Sequence, residues 1–313
     1  MYLVTGGAGF IGSNIVEALV KKGERVRALD NLSTGKKNNL RPFLETIEWI
    51  EGDIRDHKTC QKAMNGIEVV LHQAALPSVP RSIADPVQTN EVNITGTLNL
   101  LCAARDAGVK RFVYAASSSA YGDSATLPKI ETMVAKPLSP YAVSKLTGEY
   151  YCQIFSTLYK LSTVSLRYFN IYGPRQDPNS EYAAVVPRMI SALIQNQHGT
   201  IYGDGSQSRD FTYIEDCVQA VLSAAVAPAK ISGEVINVSY GANVTINELY
   251  QKIANLLRKT IGPVYDKHRA GDVRHSLADI SKARQLMGYS PEYNIDRGLE
   301  KTIDWWKTTL SEA

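Results

Sequence analysis

Two textures alternate along the first half of the chain. Short runs rich in β-branched and other apolar residues, at 2–5, 25–30, 47–51, 68–72, 111–116 and 163–168, predict strands. Between them, apolar residues recur three and four apart at 10–22, 56–64, 87–107 and 141–159, which predicts helices. Strand and helix alternating at this spacing imply an α/β fold, a doubly wound parallel sheet with helices on both faces. Six such strands fit the order in which a dinucleotide binds where strand order reverses. This unit is expected to span residues 1–169.

After Asn170 the texture changes. Glycine, proline and polar residues cluster through "IYGPRQDPNSEY", a loop. A helix follows near 185–195, then a short strand at 200–202, the loop "GDGSQSRDF" and a strand at 234–239. In "TINE", Thr245 caps a helix and Glu248 closes the capping box. Helices near 281–287 and 296–308 end the pattern. Residues 170–313 therefore read as a smaller C-terminal, substrate-binding lobe, with 210–240 returning in part to the first unit.

Composition narrows the class without deciding it. With 313 residues, 44% hydrophobic and 21% charged, the chain can bury a sizeable core. A net charge of +3, with no run of Lys or Arg longer than two, argues against a nucleic-acid partner. The N-terminus carries no basic region and no long apolar run, so neither export nor a membrane partner is expected. Cys60, Cys102, Cys152 and Cys217 are widely spaced, and the five histidines lack zinc spacing. Reduced thiols, a cytoplasmic location and no metal are the expectation.

"VTGGAGFIG" follows the first strand, with glycines at 6, 9 and 12. Gly6 permits a tight turn, Gly9 lets backbone approach a pyrophosphate, and Gly12 lets helix pack on strand. The amides of Phe10 and Ile11 open the helix whose positive end favours phosphate. Asp30 ends the second strand, next to Asn31. A carboxylate there accepts both ribose hydroxyls and repels a 2′-phosphate, so the expected cofactor is NAD rather than NADP. Asp53 and Ile54, in "EGDIRD", follow the third strand; Asp53 either reaches the adenine or caps a helix. Ala74 follows the fourth strand and Tyr168 ends the sixth. Asn93 faces either the cofactor cleft or solvent.

In "LSPYAVSK", Ser139 caps a helix, Pro140 takes its first position and Tyr141 its first turn. Lys145 lies four residues on and projects from the same face. A phenol is a poor base at neutral pH, with a pKa of about 10. A nearby ammonium, the helix end and a nicotinamide cation would each favour the phenolate. Tyr141 is thus the candidate general acid/base, and Lys145 the group that tunes it.

The glycine loop, "AASSSAYG" and "YAVSK" together resemble the extended short-chain dehydrogenase/reductase superfamily over essentially the whole chain. The resemblance implies that Ser117 hydrogen-bonds the reacting oxygen beside Tyr141 and Lys145. Relatives that dehydrate nucleotide sugars carry Asp and Glu at the next two positions, whereas this chain has Ser118 and Ser119. Hydroxyls bind a sugar but do not supply the acid and base for elimination. Oxidation followed by return of hydride to the other face would make the enzyme an epimerase, an isomerase.

Further stretches resemble the UDP-hexose 4-epimerases, above all the bacterial type acting on UDP-N-acetylglucosamine. By that resemblance Ser78 and Arg81, in "HQAALPSVPRSIADP", lie near the sugar, and Asn170, in "LRYFNIYG", serves the diphosphate. Val185 joins the substrate set. Arg209, in "GDGSQSRDF", and Arg269 and Asp272, in "KHRAGDVRHSLAD", complete it, since guanidinium offers paired donors to phosphate. Ser276 matches a position where a small side chain leaves room for an acetamido group. The expected reaction interconverts UDP-N-acetylglucosamine and UDP-N-acetylgalactosamine, with UDP-glucose and UDP-galactose as further substrates.

Two alternatives stay open on the sequence. One is a UDP-glucuronate 4-epimerase or decarboxylase, in which Arg81 serves the carboxylate. The other is a non-catalytic dinucleotide-sensing protein, against which Tyr141 and Lys145 argue. The resemblance also implies a homodimer built from helices 87–107 and 141–159, with Leu98, Leu101, Ile154 and Leu158 as candidates for its apolar stripe.

Overall fold

In the computed structural model, which describes residues 1–178, 184–267 and 273–311, seven parallel strands form the central sheet. They are β1 (Tyr2–Thr5), β2 (Val26–Asp30), β3 (Glu48–Glu51), β4 (Val69–His72), β5 (Arg111–Ser117), β6 (Thr163–Tyr168) and β7 (Glu234–Val238). Their order is β7-β6-β5-β4-β1-β2-β3. The order reverses at β1 and β4, so crossovers leave that point in opposite directions and open a crevice at the carboxyl ends. All seven match strands read from the sequence, the seventh at 234–239. The seventh, β7, pairs with β6 from Glu234↔Val164 to Val238↔Tyr168.

Two apolar layers sandwich the sheet. On one face Ile15, Val16 and Leu19 of the helix Phe10–Lys21 pack with Val218 and Val221 of the helix Ile214–Val226. On the other, Cys60, Ala63, Leu100, Leu101, Cys152 and Phe155 come from the helices His57–Met64, Gly96–Asp106 and Pro140–Tyr159. The even-numbered β5 residues Phe112, Tyr114 and Ala116 point to the second layer, and Val113 and Ala115 to the first, as the twofold strand period requires.

Two local expectations change. The stretch 87–107 is not one regular helix: Pro86–Asn90 is α-helical, Glu91–Thr95 widens to a π-turn, and Gly96–Asp106 resumes the α-helix. The widened turn delivers Asn93 to the interior, 1% exposed, where its Oδ1 accepts from Leu76 N at 2.8 Å and its Nδ2 donates to Ser144 Oγ at 3.0 Å. The expected loop after β4 contains the helix Val79–Ala84, capped by Ser78, whose Oγ accepts from Arg81 N. Beyond β6, strand Ser208–Asp210 pairs antiparallel with Asn243–Thr245. The capping box of Thr245 and Glu248 forms as the sequence indicates.

Candidate active site

A cavity of about 1000 Å³ runs along the carboxyl ends of the strands. Its floor begins at the glycine loop. Gly6 has φ +66°, and a Cβ there would lie 2.7 Å from Ala74 N; a Cβ on Gly12 would lie 2.0 Å from Gly6 O. Any side chain at either position would collide with backbone, so this close approach is available only to glycine. Gly9, Phe10 and Ile11 line the cavity at the helix N-terminus, where donor amides suit an anion.

Asp30 is 8% exposed at the end of β2. Its Oδ2 accepts from Ala8 N at 3.0 Å and its Oδ1 from Leu32 N at 2.8 Å. Burial pushes its carboxyl up, and these amides pull it back. Asp53 also lines the cavity. Arg55 and Asn31 donate to it and hold its carboxyl down at about 2. The helix-capping alternative for Asp53 fails, because Asp56 caps the helix by accepting from Lys58 N and Thr59 N. Ile54, Ala74 and Tyr168 line the same wall.

Ser117, Ser118, Ser119 and Tyr141 line the cavity further along. Ser117 Oγ accepts from the amide and the hydroxyl of Ser119, at 3.2 and 2.9 Å. Burial raises the Tyr141 phenol above its ordinary value, while a hydrogen bond with Ser117 lowers it. Ser139 caps the helix by accepting from Ala142 N, with Pro140 at its first position. Lys145, 4% exposed, donates from Nζ to Ala115 O at 2.8 Å, and burial pushes its ammonium down to about 8. Lys145 therefore sits behind the Tyr141 wall. Beneath them Glu149 and Arg167 form a buried ion pair at 2.7 Å, and Arg167 stacks 4.5 Å over the ring of Tyr121.

The opposite wall comes from the C-terminal half. Asn170, Arg209 and Ser276 line the cavity, as do Ser78 and Arg81 from the loop after β4. Asn170 Nδ2 donates to Asp210 O at 2.9 Å and to Ser276 Oγ at 3.4 Å. Arg209 Nη1 donates to the carbonyls of Ser208 and Arg274.

The helix Pro140–Tyr159, the end of β5 and one glycine turn thus bring a phenol, three serine hydroxyls and a dinucleotide-sized floor into a single cleft. The matching family model spans residues 2–239 and describes NAD dependent epimerases and dehydratases. The chain belongs to this NAD dependent epimerase/dehydratase family. The UDP-glucose 4-epimerase of Mycolicibacterium smegmatis is 38% identical, over 97% of this chain and 98% of that one. The UDP-glucuronate 4-epimerase of Thermodesulfobacterium geofontis is 35% identical, over 99% and 97%. The solved UDP-N-acetylglucosamine 4-epimerase of Methanobrevibacter ruminantium M1, in complex with UDP-N-acetylmuramic acid, is 40% identical and superposes with a TM-score of 0.93, covering 98% of each chain.

The cavity fits the family's NAD. The glycine floor leaves no room for a Cβ, and Gln73 keeps a buried Nε2 without a partner in the same wall while its Oε1 accepts from Tyr168 OH. Three of the expected site residues are not on the wall of this cavity. Asn93 and Lys145 stand behind the cavity lining: Asn93 bonds Leu76 and Ser144, and Lys145 gives one of its three N–H donors to Ala115 O. Val185 lines a separate cleft of about 190 Å³ with Arg188 and Met189, while its neighbour Ala184 lines the main cavity. Arg269 and Asp272 lie outside the described residues. Sequence reasoning missed Gln73, Thr34, Lys36, Tyr121, Lys129 and Arg175, all on the cavity wall. The hydroxyl- and lysine-rich "STGKKN" just after Asp30 was the available signal for two of them.

Proposed function

We propose that the protein is an NAD-dependent UDP-sugar 4-epimerase whose preferred pair is UDP-N-acetylglucosamine and UDP-N-acetylgalactosamine. One observation carries the reading: serine hydroxyls at 118 and 119 line the same cavity as Tyr141, at the two positions where dehydrating relatives carry carboxylates. Among the described lining residues the carboxylates are Asp30, Asp53 and Asp177. The first two belong to the β2–β3 end, and Asp177 pairs with Lys36 at 2.9 Å. Oxidation at C4 therefore has reduction as its outlet.

The glycine loop and Asp30 would hold NAD, which would supply the hydride acceptor and donor for the sugar. Tyr141 removes the proton from the C4 hydroxyl and later returns it. Ser117 donates to the same oxygen, and Ser119 keeps Ser117 in place through its own hydroxyl. Lys145 fixes the helix face to β5 through Ala115 O and keeps positive charge behind the phenol. Arg209 and Asn170, with Arg269, hold the diphosphate so that the 4-keto sugar can turn over without leaving. Ser276 is small and faces the cavity, which supports room for a 2-acetamido group. Selecting against the plain hexose takes more than space, so UDP-glucose is a further expected substrate.

Residues 1–169, with part of 210–240, form the dinucleotide-binding unit in this reading, and 170–313 the nucleotide-sugar lobe. Among the described residues no helix is long and apolar enough to cross a membrane. The cysteines are unpaired, three of them buried, which suits the reducing cytoplasm. A homodimer is also proposed, on the exposed apolar row Val143, Tyr150, Ile154 and Leu158 of the helix Pro140–Tyr159, beside exposed Ile83 and Val87. Leu98 is partly buried, and Leu101 belongs to the core rather than to that row.

The test is to incubate the purified protein, without added cofactor, with UDP-N-acetylglucosamine, UDP-glucose or UDP-glucuronate and follow the anomeric protons by NMR. The galacto isomer of the acetylated sugar is expected to form fastest. Carbon dioxide from UDP-glucuronate, or preference for that substrate, would establish the uronate alternative, and no turnover with any sugar would establish the sensing one.

A further inference from the structure

The substrate wall is made of three segments that are remote in sequence: Asn170 after β6, Arg209 in the strand Ser208–Asp210, and Ser276. All three meet at Asp210, which is fully buried and does not itself line the cavity. Its main-chain N–H donates to Ser276 Oγ at 3.3 Å and its carbonyl accepts from Asn170 Nδ2 at 2.9 Å. Its carboxylate reaches the other way. Oδ2 accepts from Ala278 N at 3.0 Å and Oδ1 from Gly241 N at 3.2 Å. Burial pushes this carboxyl up to about 6, and hydrogen bonds from the Ser239 hydroxyl and the amides of Ala278, Gly241 and Ala242 oppose the shift.

Around this node the backbone is knitted further. Ser276 N donates to Ser208 O at 3.1 Å, Ser208 N to Arg274 O at 3.1 Å, and Lys129 N to Leu277 O at 2.7 Å. The run from Val273 to Ala278 thus lies against the strand that carries Arg209. A buried carboxylate satisfied by several main-chain donors fixes those donors in space more tightly than a neutral acceptor would. None of these bonds touches the glycine loop or β2, where the dinucleotide is expected.

We infer that Asp210 is a positioning residue for the nucleotide sugar: its carboxylate sets the spacing between Arg209, Ser276 and Asn170, and so controls substrate affinity without acting on the cofactor or the proton transfer. This rests on the reading that the wall binds a UDP-sugar.

Asp210→Asn tests it, because the amide keeps the shape but turns a donor toward one of the two main-chain N–H groups. The expected result is a KM for the UDP-sugar raised about tenfold or more, kcat changed by less than about threefold, and NAD content of the purified protein equal to wild type. An unchanged KM overturns the inference. Parallel loss of NAD and of kcat overturns it too, since that outcome assigns Asp210 to general folding. Should Asp210→Asn fail to fold, Ser239→Ala removes one donor from the same carboxylate, and a KM rise of about twofold or more is expected; no rise overturns the inference. If the wild type turns over no UDP-sugar, the proposed function fails on its own. Titration calorimetry with UDP then decides the present inference: weaker binding by Asp210→Asn supports it, and equal binding overturns it.

Discussion

At the scale of single residues, Tyr141 and His72 show how burial sets protonation. Tyr141 has its phenol raised by burial and lowered by Ser117, and it holds the proton that the proposed reaction must move. Tyr141→Phe is expected to lower kcat by about 10³-fold while the protein still purifies with NAD; kcat from the NMR assay and NAD released on acid treatment check both halves. His72 is fully enclosed, bonded to Thr5 Oγ1 at 2.7 Å and to Thr97 Oγ1 at 2.9 Å, and burial followed by the charge of Lys145 drives its pKa down to about 3. Its folded value lies below the ordinary 6.5, so the unfolded chain binds the extra proton first. Stability from this group is complete above about pH 6.5 and is lost as pH falls toward 3.

Asp210 and Asp216, both raised by burial to about 6, act in the opposite sense over part of that window, so the difference between proteins is the useful quantity. Relative to His72→Asn, the wild type is expected to lose about 1.4 kcal/mol per pH unit between roughly pH 6 and pH 4. Urea unfolding of both proteins at pH 6, 5 and 4 measures that slope. Parallel stability curves would show that His72 contributes no such term.

At the scale of elements, the β1–helix turn leaves no room for a side chain. A Cβ at Gly12 would overlap Gly6 O at 2.0 Å, and the next nearest atoms are also backbone of Gly6 and Gly7, with no flexible side chain to yield. Gly12→Ala is expected to weaken NAD binding by about a hundredfold or more and to lower Tm. Gly108 is the control. It has φ +67° and nothing within 4 Å of a built Cβ, so Gly108→Ala should cost only about 1 kcal/mol of backbone strain and leave NAD binding unchanged. Equilibrium NAD titration and thermal melts of the two variants separate a close-approach defect from a conformational one. The π-turn at Glu91–Thr95 is an element of the same kind. It brings Asn93 to Leu76 and Ser144 and so ties the loop after β4 to the Tyr141 helix.

At the scale of the whole molecule, the sheet order concentrates chemistry at one edge and leaves an apolar row at another. Leu158 is 70% exposed and Tyr150 53%, an unusual face for a helix whose other side packs on β5. If this row is the dimer interface, Ile154→Asp should give a monomer in sedimentation at micromolar concentration, with the melting curve of the subunit little changed. A dimer that survives the substitution would move the interface elsewhere.

Much of this was legible in sequence because the deciding interactions are local. The glycine spacing, the Ser139–Pro140 helix start, the four-residue step from Tyr141 to Lys145 and the Thr245–Glu248 box all act within one or two turns, and the apolar pattern gives all seven strands of the sheet. Other features depend on segments far apart in the chain. That Asn93 reaches Ser144, that Lys145 bonds Ala115 O and that β7 completes the sheet beside β6 all follow from packing across thirty residues or more. The sequence by itself determined which chemical groups exist and which short motifs hold them, since backbone sterics and hydrogen bonding act along the chain. Which of those groups line the cavity is settled by packing between distant segments, since Asn170, Arg209 and Ser276 meet only when the strand ends and the C-terminal half come together.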